Sequence, residues 1–136
     1  MNKTELLGWL DGLGPFKGSP DQGPIICRQI MQYLGIVSAP VFCVHVAGTN
    51  GKGSTVAVME ALLCASGVRV GAFTSPHLIR YNERIRVDGA EVSDELIVEA
   101  FKAIERARSA ISLTYFEFST LAALWIFKKL DVTFQL

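Results

Sequence analysis

The stretch Ala47-Gly48-Thr49-Asn50-Gly51-Lys52-Gly53-Ser54-Thr55 places three glycines and a lysine within nine residues. It follows an apolar run, Val41-Phe42-Cys43-Val44-His45-Val46, whose β-branched and aromatic residues and short length predict a buried parallel strand. A helical pattern comes directly after it. Strand, glycine-rich turn and helix in that order are what phosphate binding needs. Glycines let the backbone approach closely, and unpaired N–H groups at the helix start face the anion. Lys52 adds a mobile positive charge. A glycine-rich turn that binds nothing is the alternative, and the strand and helix on either side speak against it.

The match to the common phosphate-loop pattern is imperfect. Val46 stands where the first glycine would be, and Gly53 separates Lys52 from Ser54. Read as Gly-Thr-Asn-Gly-Lys-x-Ser, however, the stretch resembles the ATP loop of the Mur ligase superfamily, ATP-dependent enzymes that join a carboxylate to an amino acid. The form with glycine after the lysine is similar to the folate branch, dihydrofolate synthase and folylpolyglutamate synthase. The resemblance implies that Gly48, Thr49, Asn50, Gly51, Lys52, Gly53, Ser54 and Thr55 contact ATP and that Lys52 is catalytic. Ser54 and Thr55 are both placed to touch phosphate or metal, and the sequence does not choose between them.

At 136 residues, half of them hydrophobic, the chain is long and apolar enough for one ordinary domain. Thirteen basic residues balance thirteen acidic ones, so nothing argues for a nucleic-acid footprint or an anionic membrane surface. Cys27, Cys43 and Cys64 lack metal-type spacing and are odd in number, which predicts reduced thiols packed in a cytosolic core. No signal segment is visible, and no apolar stretch approaches the ~20 residues needed to span a bilayer. The expectation is a cytoplasmic protein.

Thr4-Glu5 can cap a short helix carrying Leu6, Leu7, Trp9, Leu10 and Leu13, ended by Gly12, Gly14 and Pro15. Gly14 to Gly23 reads as a connecting loop. Asp21 then starts a second helix with Ile26, Ile30, Met31 and Leu34 at helical spacing and Gly35 as its stop. After the phosphate loop, Val56, Met59, Leu62 and Leu63 predict a buried helix face ended by Gly67, and Val68 to Phe73 predicts a second strand. Strand, helix and strand so closely linked predict a right-handed parallel βαβ unit. Ligands in such folds sit beyond the carboxyl ends of the strands, where Gly48 to Ser54 and Thr74 to His77 both fall.

Ser75 leaves the second strand in Thr74-Ser75-Pro76-His77-Leu78. Its hydroxyl reads either as a Mg²⁺ ligand or as a turn serine before proline. With Asn82-Glu83-Arg84-Ile85, this segment is similar to the folate-ligase loop whose serine holds magnesium, and the resemblance favours the metal. Arg84 to Val92 alternates apolar and polar residues around Asp88-Gly89, a hairpin signal whose charges read as a solvated face. Ser93-Asp94-Glu95 starts a structural helix with Ile97, Ala100, Phe101, Ile104 and Ala107 on one face.

Thr114-Tyr115-Phe116-Glu117 precedes a further helix, whose face is Leu121, Ala122, Leu124, Trp125 and Lys128. Composition favours a core role for Tyr115 and Phe116. The tetrapeptide is nevertheless similar to the family segment that receives the pteroate part of the substrate, which implies substrate binding by Thr114, Tyr115, Phe116 and Glu117. Leu130 to Leu136 opens a third parallel strand. In the family the comparable strand ends on a magnesium-binding glutamate and a glycine-rich turn, which would lie beyond Leu136.

The expected fold is therefore α/β: a P-loop-type parallel sheet with flanking helices, similar to the Mur ligase central ATP-binding domain but incomplete, with a small β-hairpin insertion. Residues 1–40 would supply N-terminal helices and a substrate-side loop, and residues 41–136 the P-loop core, of an N-terminal fragment lacking the rest of this domain and a C-terminal domain. The resemblance implies ATP- and Mg²⁺-dependent ligation of L-glutamate to dihydropteroate or folate through an acyl phosphate, in folate biosynthesis, by a monomeric parent enzyme. Two other readings stand beside it. A cell-wall Mur ligase leaves Ser75-Pro76-His77-Leu78 and Thr114 to Glu117 without a role, and the chain alone also reads as a nucleotide-binding module without catalysis.

Overall fold

The computed structural model describes residues 2–13, 22–36 and 41–136. The chain divides into two compact units, residues 1–39 with 94–126 and residues 40–93 with 127–136.

The first unit is helical. Helix α1, Lys3–Asp11, is capped by Asn2 rather than by Thr4-Glu5: the Asn2 side chain accepts from the Glu5 amide at 2.9 Å, and Glu5 returns the bond to the Asn2 amide at 2.9 Å. This reciprocal cap satisfies two N–H groups that a helix start otherwise leaves open. Helix α2, Gln22–Tyr33, buries Ile30 and ends where Gly35 takes φ 68°. Asp21, read as the start of that helix, and Gly14 and Pro15, read as stops for the first, lie outside the described residues. Helix α4, Asp94–Arg108, buries Ile97, Ala100, Phe101 and Ile104 as its spacing predicts, leaving Ala107 half-buried. Lys3 at the start of α1 pairs with Asp94 at the start of α4 at 2.7 Å. Helix α5, Tyr115–Lys129, buries Leu121, Ala122 and Ala123, whereas Leu124 and Trp125 are half-buried and Lys128 is exposed. The Phe118 ring meets Trp9 and Phe101 edge-on at 5.2 Å each, a favoured aromatic geometry.

The second unit is built on a five-stranded sheet of order β1-β5-β2-β3-β4, comprising β1 Phe42–Cys43, β2 Val70–Phe73, β3 Ile85–Val87, β4 Ala90–Glu91 and β5 Phe134–Gln135. Strands β1 and β2 are parallel, as expected, but do not touch: β5 lies between them and is parallel to both. Strand β1 is also much shorter than the run Val41 to Val46 and is exposed, with Phe42 67% accessible. It occupies an edge of this sheet, where β5 is its one partner among the described residues and where an apolar run is not buried by flanking strands.

Helix α3, Lys52–Ala65, runs from the glycine-rich loop to Gly67 at φ 79°. It buries Val56 and Glu60. Leu62 is 64% exposed, and Met59 and Leu63 are half-buried. Glu60 takes the Arg86 guanidinium at 3.1 Å, tying α3 to β3, so the hairpin charges are not simply solvated. Asp88 likewise accepts from the Val70 amide at 3.0 Å and from Arg69 at 3.1 Å. The hairpin itself is as expected, with Asp88 at φ 52° and Gly89 at φ 82° between paired Val87 and Ala90. Those positive φ values are the twist that a two-residue hairpin turn requires. Buried Asn82 donates to the Val92 carbonyl at 2.7 Å and closes the base of the hairpin. All three cysteines are free, but Cys43 is exposed and Cys27 and Cys64 are only half-buried, so they are not packed in a core.

Gly71 of β2 meets the Phe127 ring. A Cβ there would lie 2.6 Å from Phe127 Cδ1 and Cε1. Phe127 is 2% exposed and has no room to withdraw. Gly71→Ala is expected to destabilise the chain by about 1–3 kcal/mol through overpacking, read as a lower urea midpoint with an unchanged slope.

Candidate functional site

The loop between β1 and α3 has the form of an anion cradle. Gly48 lies at φ 148°, and Gly51 at φ 77° is the N-cap of α3. These backbone angles, not crowding, call for glycine, because a Cβ at either position meets nothing within 4 Å among the described residues beyond its chain neighbours. Gly51 provides no side-chain cap, so the first-turn N–H groups of α3 keep their partial positive charge available to an anion. Lys52 is the first residue of α3. It is exposed, and its ammonium folds back to donate to the Gly48 carbonyl. Thr55 uses its hydroxyl within the helix, donating to the Gly51 carbonyl at 2.8 Å, whereas the Ser54 hydroxyl has no partner among the described residues. The two adjacent hydroxyls are thus inequivalent, which the sequence did not reveal.

Ser75 lies in the loop after β2. Because β1 and β2 are both parallel to β5, the Gly48–Ser54 loop and Ser75 leave the same end of the sheet. Ser75 is exposed, and the peptide linking it to Pro76 is cis. Glu83 organises this loop. Its Oε1 accepts from the Leu78 amide at 2.9 Å, and its Oε2 from Ile79 at 2.9 Å and Arg80 at 2.7 Å. His77 Nδ1 accepts from Arg84 at 2.7 Å, and the His77 ring stands edge-on to buried Tyr81. The structural role of Glu83 was not read from the sequence, although its position three residues after Arg80 is the spacing of a carboxylate that reaches back to amides. Among the described residues no three His, Cys, Asp or Glu side chains form a metal cluster. The donors near the loops are hydroxyls, hard oxygen ligands of the kind that hold Mg²⁺ together with phosphate oxygens and water.

Thr114 to Glu117 belongs to the first unit. These residues do not precede α5 but form its cap and first turn. The Thr114 amide donates to Glu117 Oε2 at 3.0 Å, and the Glu117 amide to Thr114 Oγ1 at 3.2 Å. Phe116 is 59% exposed and Tyr115 half-buried, so the core role that composition favours does not hold for Phe116. A first-turn position facing outward explains it.

The Leu78, Arg80 and Ile79 amides hold the Glu83 carboxyl well below its ordinary value, at about 2, against a small opposing desolvation; the neighbouring His77 also lowers it. A carboxylate depressed in the folded state contributes its full stabilisation above its unfolded value of 4.5 and loses it as pH falls through about 2. The Leu78, Ile79 and Arg80 amides are therefore expected to keep their protection from hydrogen exchange through pH 4.5 and lose it only towards about pH 2. In Glu83→Gln that acid transition should vanish.

No family model matches the chain. Sequence comparison finds the dihydrofolate synthase/folylpolyglutamate synthase of Escherichia coli K12 to be 52% identical over 101 residues, covering 73% of this chain and 24% of that protein. The fold is similar to the Yersinia pestis bifunctional folylpolyglutamate synthase/dihydrofolate synthase complexed with AMPPNP and Mn ion, with TM-score 0.91 and 40% identity over 99% of this chain and 32% of that one. It is likewise similar to E. coli FolC in complex with DHPP and ADP, with TM-score 0.88 and 39% identity over 99% of this chain and 32% of that one. The chain thus spans about a quarter to a third of the length of these relatives. Its mixed sheet with flanking helices is the Mur-ligase-like ATP-binding fold seen in them. With 52% identity over 73% of its length and a fold that matches over 99% of it, the chain belongs to the folylpolyglutamate synthase/dihydrofolate synthase family.

Proposed function

We propose that this chain is the ATP- and pteroate-binding part of a ligase that joins L-glutamate to dihydropteroate, to folate, or to both. The observation that carries the reading is the uncapped start of α3, with Gly51 in the left-handed region and Lys52 beside it. Nucleotide complexes of the two structural relatives, with AMPPNP and Mn ion and with ADP and DHPP, support it. In the proposed reaction the substrate carboxylate attacks the γ-phosphorus of ATP and releases ADP, giving an acyl phosphate. The glutamate amine then attacks the acyl carbon and expels phosphate.

Lys52 exchanges its bond to the Gly48 carbonyl for one to the phosphates and offsets charge developing on the transferred group. The α3 amides hold the phosphate chain, and Gly48, Thr49, Asn50 and Gly53 let the backbone wrap it. Ser54, whose hydroxyl has no partner among the described residues, faces phosphate or metal in preference to Thr55. A magnesium ion, when bound, supplies charge neutralisation, with Ser75 as its ligand from this chain. Exposed Phe116 gives a pterin its stacking face, Tyr115 flanks it, and Thr114 and Glu117 offer polar groups.

The 52% identity to a folate enzyme favours this reading over a cell-wall ligase. The parent is proposed to be a cytoplasmic monomer. Among the described residues no helix is long and apolar enough to cross a membrane.

Titration of the chain with magnesium and ATP tests the nucleotide half. Lys52→Ala should weaken binding by about tenfold or more, the worth of a charge-assisted hydrogen bond, with an unchanged circular dichroism spectrum. Equal affinity would remove Lys52 from the site. Phe116→Ala should weaken dihydropteroate binding by about fivefold and leave ATP binding unchanged, as expected for loss of one stacking partner. Equal loss for both ligands would return Phe116 to a structural role.

A further inference from the structure

Gly23 stands in the first turn of α2, where alanine is the better helix former. It is buried, and it faces Glu117 of α5 within the same unit. A Cβ built on Gly23 would lie 2.8 Å from Glu117 Oε1 and 3.8 Å from its Cδ. Among the described residues, apart from its chain neighbours and the backbone of α2 itself, no other heavy atom comes within 4 Å of that position. The contact is therefore made specifically with the end of one carboxylate.

The two oxygens of that carboxylate have different tasks. Oε2 accepts from the Thr114 amide at 3.0 Å and completes the reciprocal cap of α5. Oε1 has no hydrogen-bond partner among the described residues and occupies the space beside Gly23 that a Cβ there would need. Cys27, one turn after Gly23 on α2, registers the same charge: burial and then Glu117 push its thiol up to about 11. The Glu117 carboxylate is thus turned towards α2, and the missing side chain at residue 23 leaves room for it.

We infer that Gly23 is a positioning residue for substrate. By leaving space for Oε1, it lets Glu117 hold the Thr114 amide with one oxygen while presenting the other to an N–H donor of a flat heterocycle such as a pterin. The inference rests on the pteroate-binding reading of Thr114 to Glu117. A methyl group at Gly23 displaces the flexible end of Glu117 instead of the backbone, so the fold is kept while the carboxylate moves.

The test compares the 136-residue chain with its Gly23→Ala and Glu117→Gln variants, using amide exchange by nuclear magnetic resonance and titration with dihydropteroate and with ATP. In Gly23→Ala the Thr114 amide should exchange about tenfold faster, as its charged acceptor is pushed away. The variant should stay folded, with a melting temperature lowered by only a few degrees as for the loss of one helix cap; dihydropteroate affinity should fall at least as far as in Glu117→Gln, and ATP affinity should not change. An unaltered Thr114 amide, or unaltered dihydropteroate binding in Gly23→Ala, would overturn the inference. An unfolded Gly23→Ala variant would overturn it too, since a clash confined to a carboxylate end does not unfold a helix pair. If the parent chain itself fails to bind dihydropteroate, the pteroate reading falls and the substrate role of Gly23 falls with it. The Thr114 amide then separately reports whether Gly23 sets the carboxylate.

Discussion

The backbone ladder of β5 holds the second unit together. Phe134 and Gln135 pair with Phe42 and Cys43 on one side and with Val70 and Gly71 on the other. The ladder continues past them, with the Val44 amide on the Gln135 carbonyl at 2.8 Å and the Leu136 amide on the Gly71 carbonyl at 2.8 Å. Because both neighbours are parallel to β5, the loops that follow β1 and β2 emerge from one end of the sheet. A phosphate cradle and a serine-bearing loop separated by some twenty residues of helix and turn are thereby delivered to the same side. The close fit of Gly71 under Phe127 is part of that arrangement, since Phe127 leads directly towards β5.

Carboxylates shape the local geometry around the candidate ligand loops. Glu83 gathers three consecutive amides and fixes the path of the chain after Ser75. Glu117 caps α5 with one oxygen and leaves the other in the space beside Gly23. Glu60, buried in α3, takes the guanidinium of Arg86 and joins the phosphate-loop helix to the hairpin. In each case an acidic side chain fills backbone or cationic donors that would otherwise lie open. The start of α3 is handled in the opposite way. It receives no side-chain cap, so its donors stay available for a ligand.

Features governed by near neighbours along the chain were legible from the residues alone. The phosphate loop needs its glycines because of local backbone angles, and Gly48 and Gly51 adopt positive φ. Asp88-Gly89 makes the hairpin turn for the same reason. The buried face of α4 follows from a periodicity confined to one helix. The family resemblance rests on such contiguous motifs.

Tertiary structure decided what depends on distant partners. The insertion of β5 between β1 and β2 pairs residues about ninety and sixty positions apart, so no local pattern records it. The exposure of Phe42 and Leu62 follows from an edge position and from which side of α3 meets the sheet; an apolar side chain carries no mark of either. Thr55 and Ser54 are equivalent as letters and differ only because one hydroxyl reaches the Gly51 carbonyl. Gly23 reads as the end of a connecting loop until Glu117, 94 residues away, is placed against it. The sequence by itself determined the chemistry of each loop, because turn and cap preferences act over a few bonds. The partners of those loops were decided by the tertiary structure, because packing and strand pairing join residues that the chain keeps far apart.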